Sequence, residues 1–510
     1  MRREGRTAGI AAAFVLQAAL IAAGARFDAV ARPAVGASIP RPVVHGPGAK
    51  RLPASAYPGR LPSFEERYVG KEQAWEPTIG FGPDGTAYYM VTNEPAKART
   101  GIDVIDDVGG LHPEVWRSDD QGRTWADVSP RYVPATNMSQ DVDRVGERPT
   151  ISGDPYLWTD PRTGWVFAYQ QQAYLLCDDL AISSDGGSSW DASTTCPQYV
   201  AADDSYGDHP TIVSGRPRAR DTNGYPNVVY FCSSSGCRSS LDGGSTWGPW
   251  VNPDPACRET LEFGHVKTAP DGTVYVPRKA CGGARISISR DDGRTWRSVY
   301  VDKTVWQESI EDGVPELDHD GAVAIDAKGN AYYFWLGGDR LPYLSVSRDV
   351  GRTWTKPMMV GAPGVTYALF PEITAGRKGR IAFTYFGTTV KSGNREDPNA
   401  TWHQYVGFSL NALHRRPVFA TVTAHTSADS IRRGPCFNFR CYIDPGVLGN
   451  GVPNEGVGDF LDIRVNPRTG AVWVAMVDLC NDACAGREGS AADPATARAA
   501  VGVQVSGTKL

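Results

Sequence analysis

Acidic residues recur in one sequence context. Seven hairpin-like segments begin at residues 77, 155, 210, 264, 321, 371 and 461, and carboxylates stand at the approach to most of them. They are Glu76, Asp154, Asp208 with His209, Glu262 near His265, Asp318 with His319 and Asp320, and Asp459. A Gly-Asp pair recurs at Gly153-Asp154, Gly207-Asp208 and Gly458-Asp459, where the small residue lets the chain turn. Clustered carboxylates raise one another's proton affinity, so one can act as general acid while an ionised neighbour acts as base or nucleophile. Glycoside hydrolysis uses such a pair, about 5 Å apart for retention and wider for inversion. The candidate acid/base set is therefore Asp154, Asp208, Glu262, Asp320 and Asp459, with His209, His265, His319 and Arg278 as substrate-binding candidates. Two other readings stay open: an Asp before a strand commonly caps backbone N–H groups, and a hard cation such as Ca²⁺ takes six to eight oxygens. No EF-hand or other dense carboxylate loop occurs, so no metal site is assigned.

Cations at the same level are scarcer: Arg148, Arg278 with Lys279, Arg285 and Arg340. An acidic sugar requires several of them to converge on one carboxylate, and Arg278, closing Tyr275-Val276-Pro277-Arg278, is the single preferred candidate. Trp158, Trp306, Trp335 and Trp402 are candidate sugar-stacking platforms, with core packing as the competing role. Neither G-x-S-x-G nor a P-loop pattern is present.

Positioning these groups is the task of a repeat. The pattern S-x-D-x-G-x-[ST]-W occurs five times, at Ser118–Trp125, Ser183–Trp190, Ser240–Trp247, Ser289–Trp296 and Ser347–Trp354. Its aspartates step by 65, 57, 49 and 58 residues, and a further step of 62 reaches Asn411, a decayed sixth copy. Ser, Thr and Asp oxygens bond the backbone of a tight turn, Gly supplies a left-handed position, and Trp leaves the turn for a core. Each box is thus a hairpin corner. Each is preceded by one of the hairpins above, as in Thr78-Ile79-Gly80-Phe81 leading to Ala87-Tyr88-Tyr89, which gives four short strands per unit.

The seventh hairpin is followed only by Val501-Gly502-Val503-Gln504-Val505, one strand short, and Glu66-Arg67-Tyr68-Val69 can supply the missing one. Both ends would then share one blade. Closing the array into a ring removes the sheet edges a linear array would expose. The expectation is an all-β fold, a single β-propeller of four-stranded blades over residues 63–510, with seven blades preferred and six allowed.

Five such boxes on four-stranded repeats resemble the sialidase superfamily, the BNR or Asp-box propellers, over about residues 63 to 506. The resemblance implies that first strands line an axial channel, that the residues just before them crowd one mouth, and that the boxes lie on the periphery of the opposite face. It also implies, for catalytic members, an Arg triad, a Tyr nucleophile with a Glu partner, an Asp acid/base and an early [FY]-R-[IL]-P motif. Arg60-Leu61-Pro62 and Arg340-Leu341-Pro342 approach that motif, and neither follows an aromatic residue. No catalytic Arg is carried over, and Tyr385 and Tyr405 read equally as core. A glycan-recognising propeller that can hydrolyse glycosidic bonds with a carboxylate pair at the channel mouth is the functional expectation; a non-catalytic ligand- or protein-binding propeller is the alternative.

At the N-terminus Arg2, Arg3 and Arg6 precede an apolar run from Ala8 to Ala25 that ends on small residues, the pattern of a signal peptide over 1–31. A Pro/Ala/Gly-rich linker is expected over 32–62. Ten cysteines fall into local pairs, 177/196, 232/237, 257/281, 436/441 and 480/484, which behind an export signal favours disulfides over a metal site. The 52 Lys and Arg against 57 Asp and Glu give a net charge of −5, which offers no field for nucleic acid. A secreted or envelope-exterior monomer is expected, free of the membrane once the signal is cleaved, with a glycan or glycoconjugate as its partner.

Overall fold

The structure is a computed structural model, and it describes residues 40–70, 75–93, 112–130, 155–170, 179–194, 209–233, 236–255, 264–278, 283–303, 309–311, 314–316, 321–425, 430–436, 441, 457–458, 460–479 and 498–510. Among them, everything regular is β apart from one 3-10 turn at Ala54–Ala56.

Successive antiparallel sheets form the blades of a propeller. Blade 1 runs Trp75–Phe81, Ala87–Asn93, His112–Ser118 and Ala126–Asp127; blade 2 runs Tyr156–Thr159, Val166–Gln170, Asp179–Ser183 and Asp191–Thr194. Blade 3 has Thr211–Gly215, Val228–Ser233 and Gly236–Ser240, extended by a bridge between Cys237 and Val251. Blade 4 consists of Lys267–Thr268, Val274–Arg278, Arg285–Ser289 and Arg297–Tyr300, and blade 5 of Ala322–Ile325, Ala331–Leu336, Pro342–Ser347 and Met358–Met359. Blade 6 is built from Tyr367–Ala375, Ile381–Thr388, Thr401–Ser409 and Phe419–Thr423, and blade 7 begins with Asp462–Val465, Val472–Asp478 and Arg498–Ser506. The first strand of each blade neighbours the first strands of the blades before and after it, and blade 7 returns to blade 1.

Ring closure follows the expected route. Ser63–Tyr68 is the outer strand of blade 7, paired with Arg498–Ser506 in a register that sets Glu66 opposite Gly502 and Tyr68 opposite Ala500. The segment before it departs from the linker expected over 32–62. Val43–Gly46 adds a fifth strand to blade 6, with Val44 opposite Ala420, and Lys50–Arg51 adds a sixth. Val44 is 4% exposed and packs with Phe408 and Val422. A short β-branched run suits an open sheet edge, and the exposed Lys50 and Arg51 then protect the new edge from further pairing. The surrounding Pro and Gly conceal that signal in the sequence.

First strands alternate between two environments. Ile79, Leu157, Ile212, Val266, Val323, Ile373 and Ile463 occupy equivalent positions, are fully buried, and pack toward the preceding blade. The residue before each, one per blade, is Thr78, Tyr156, Thr211, His265, Ala322, Glu372 and Asp462. Several of these face the next blade: Leu157 N–H donates to Thr78 Oγ1 (3.1 Å), Val266 N–H to Thr211 Oγ1 (3.0 Å) and Ile79 N–H to Asp462 Oδ2 (3.2 Å). A belt of side-chain oxygens thus satisfies backbone donors that an inner edge strand would otherwise leave unpaired.

The five box turns share one set of bonds. In the first, Gly122 N–H donates to Ser118 Oγ (2.8 Å), Thr124 N–H to Asp120 Oδ1 (2.9 Å) and Thr124 Oγ–H to Asp120 Oδ2 (2.7 Å). These bonds hold the Asp120 and Asp185 carboxyls down to about 2. The box tryptophans are partly buried against the preceding blade. The sixth copy keeps only part of this, with Val418 N–H donating to Asn411 Oδ1 (2.9 Å). Of the expected cysteine pairs, Cys232–Cys237 and Cys436–Cys441 are disulfides; the other three involve residues outside the described set.

Candidate functional site

Asp154, Asp208, Glu262, His319, Asp320 and Asp459, all singled out in the sequence, lie outside the described residues, as does Trp306. His209, His265 and Arg278 are described. His209 is half-buried with a left-handed φ of 49°. Arg278 is fully buried at the end of the second strand of blade 4, where its carbonyl accepts from Tyr333 Oη–H at 3.3 Å. Trp335 and Trp402 are fully buried core residues. So is Tyr385, stacked on Tyr405 at 5.3 Å between ring centres, with its oxygen accepting Ala362 N–H.

His265 belongs to the polar cluster at the axis. Its Nδ1 lies 2.8 Å from Glu372 Oε2, and Lys267 Nζ lies 3.8 Å from Glu372 Oε1. Ligand atoms of His265, Glu372 and Asp462 all fall within 4.8 Å of one another. Arg464 Nε donates to Asp462 Oδ2 (3.0 Å), and its Nη2 donates to Tyr156 Oη (2.8 Å). The His265 ring lies 4.7 Å from the Tyr156 ring and 5.0 Å from Phe460, and the Arg464 guanidinium stands over Trp158 at 5.4 Å.

These groups come from blades 2, 4, 6 and 7. They meet because the equivalent residues of blades 1, 3 and 5, namely Thr78, Thr211 and Ala322, are short and leave the axis to longer side chains. A bulge between Leu369 and Glu372, with Phe370 at φ 54°, places Glu372 on the inner strand of blade 6.

Charges balance within the cluster, two carboxylates against Lys267 and Arg464. Burial pushes the Glu372 carboxyl up, but the Lys267 ammonium and the His265 hydrogen bond outweigh it and hold Glu372 below the usual carboxylate range. Burial likewise opposes the Arg464 charge, and Asp462 and Tyr156 more than restore it. The donor set does not suit Ca²⁺, which wants many oxygens. Among the described residues it offers a nitrogen and two carboxylates already neutralised by cations. Lys267 Nζ is buried without a hydrogen bond among the described residues, whereas Trp158 and Arg464 are half-buried.

The sequence reading reached His265 but missed Glu372, Asp462, Lys267 and Arg464. The candidate acids stand ahead of the strands and these residues lie on them; the signal in the sequence is the first residue after each hairpin start, at 265, 372 and 462, and the residue two further on.

No family model matches the chain, and no curated protein matches it. Solved structures similar to it include a protein of unknown function from Dyadobacter fermentans DSM 18053, at 13% identity and TM-score 0.42, covering 89% of this chain and 99% of that one. The intramolecular trans-sialidase from Ruminococcus gnavus, complexed with oseltamivir carboxylate, matches at 14% identity and TM-score 0.38 over 86% of this chain and 96% of its own. A point mutant of NanB sialidase from Streptococcus pneumoniae matches at 12% identity and TM-score 0.40, over 89% and 73% respectively.

Proposed function

We propose that the chain is an exported, monomeric, sialidase-like propeller that recognises glycans, with the sugar seated against the axial cluster. The observation that carries this reading is Lys267, a buried ammonium that among the described residues has no hydrogen bond and one ion pair, at 3.8 Å. A buried donor left in that state gains from an acceptor such as a sugar oxygen. Glu372 and Asp462 supply acceptors for hydroxyl groups beside it, and Trp158 and Tyr156 supply ring faces. The lowered Glu372 carboxyl favours binding over cleavage, because a general acid must keep its proton near neutrality.

Hydrolysis is the second reading, supported by the closeness of Glu372 and Asp462 oxygens, within 4.8 Å. Asp154, Asp208, Glu262, Asp320 and Asp459 belong to that reading as further acid/base candidates. One experiment addresses both: the exported protein and its Lys267→Met variant are applied to an array of neutral and sialylated glycans, and to a panel of fluorogenic glycosides. Binding that is lost in Lys267→Met, without turnover, is the expected result. Turnover lost in Glu372→Gln would establish the hydrolytic reading. Retention of no glycan by the folded protein would leave a protein-binding propeller in its place.

A further inference from the structure

A second site lies away from the axis, where the box turn of blade 5 leans on blade 4. Gly351 (φ 71°) is the contact: a side chain there would meet Ile288 Cδ1 and would have to hold a left-handed backbone, which glycine does without strain. Beside the contact is a cavity of about 280 Å³ lined by Ile288, Arg290, Trp296, Arg297, Val350 and Arg352, together with Thr295.

Three guanidiniums therefore line one cavity in a chain whose net charge is −5. Arg290, Arg297 and Arg352 are exposed, and their side chains have no hydrogen-bond or ion-pair partner among the described residues. The nearby box carboxylates do not neutralise them: Asp291 is bonded to Thr295 and Ser289, and Asp349 to Thr353 and Ser347. Unpaired like charges gathered around a cavity repel one another, and an anion relieves the repulsion while accepting their forked donors.

Val350 holds the left-handed backbone that every box turn has at this position, φ 62°, as do Gln121, Gly186, Gly243 and Asp292 in the other four; the shared turn thus fixes where Val350 and Arg352 stand on the cavity wall.

We propose that this cavity binds a sugar carrying a sulfate or carboxylate, its oxyanion held by Arg290, Arg297 and Arg352 and its ring set against Trp296. The oxyanion grip is independent of the axial site; the sugar part rests on the glycan reading above.

The test is calorimetric titration of the full exported protein with a monosulfated disaccharide, with lactose and with inorganic sulfate. Arg297→Gln/Arg352→Gln is the site variant and Lys267→Met the axial control. Both substituted arginines are exposed, so the variant keeps its fold, which circular dichroism checks. The sulfated disaccharide is expected to bind the wild type about tenfold or more tightly than the arginine variant, the loss of one or two charge-assisted hydrogen bonds, while lactose, which carries no anion, binds the two alike. Equal binding by wild type and arginine variant would overturn the proposal. So would inorganic sulfate binding as tightly as the disaccharide, which would reduce the site to an anion trap. Failure of the axial reading shows separately, as loss of neutral-glycan binding with the sulfated ligand still retained.

Discussion

His265 Nδ1 and Glu372 Oε2 lie 2.8 Å apart although a whole blade separates their strands. Blade 5 allows the contact by presenting Ala322 at the equivalent position. A hydrogen bond between non-adjacent blades ties the ring across its axis, in addition to the apolar packing between neighbouring blades.

Removing one charge from this cluster should cost more than removing two. Glu372→Gln leaves Lys267 and Arg464 facing Asp462 alone, and an uncompensated buried charge costs about 3–5 kcal/mol. Urea unfolding should show a loss of that order for Glu372→Gln, and a smaller loss for Glu372→Gln with Lys267→Met. Equal losses would mean that the Lys267 ion pair contributes nothing.

Stability should fall with acid in two stages. Burial, and then the charge of His403, lower His425 to about 3, and burial lowers His45 to about 4, from an ordinary value of 6.5. The unfolded chain therefore binds more protons than the folded one in that interval, and stability present above pH 6.5 is lost as the pH falls. Glu372, also lowered, adds a second loss below its usual value of 4.5. Unfolding measured from pH 8 to pH 4 should show the first stage, and His425→Gln should flatten it. A profile unchanged by that substitution would contradict the burial of a neutral imidazole.

Val350→Gly should stabilise the protein. Glycine enters the left-handed region without the clash that valine suffers, and about 1 kcal/mol of strain is released, less the greater freedom of glycine in the unfolded chain. A small rise in the midpoint of thermal unfolding is expected, with Gly351 and the Ile288 contact undisturbed.

Val44→Asp probes the added edge of blade 6. Val44 is 4% exposed among Phe408, Ala420 and Val422, so a carboxylate there has no partner and should cost several kcal/mol or detach the strand. Limited proteolysis after residue 51 should then proceed faster than in the wild type. Unchanged resistance would show that the strand is held by its backbone alone.

What could be read from the chain in advance depended on range. The box turns are local, so Ser118, Asp120, Gly122 and Thr124 announce their own geometry within a few residues. Ring closure through Glu66–Val69 was equally legible, because counting strands exposed a vacancy. The axial cluster was not, since Tyr156, His265, Glu372 and Asp462 lie on four separate blades and only curvature makes them neighbours. Periodicity fixes which way each side chain points, yet not that Ala322 and Thr211 are short enough to let their neighbours meet. Val43–Gly46 escaped for the opposite reason: its partner, Phe419–Thr423, is remote, and nothing nearby in sequence points to it.

Because Arg498–Ser506 sits between Val472–Asp478 and Ser63–Tyr68, blade 7 cannot be assembled until synthesis has passed Ser506 and that strand has left the ribosome. A growing chain must keep six sheets waiting, with Ser63–Tyr68 unclaimed. Termination ahead of Arg498 would then yield an open crescent fit for disposal, not a slightly shortened wheel.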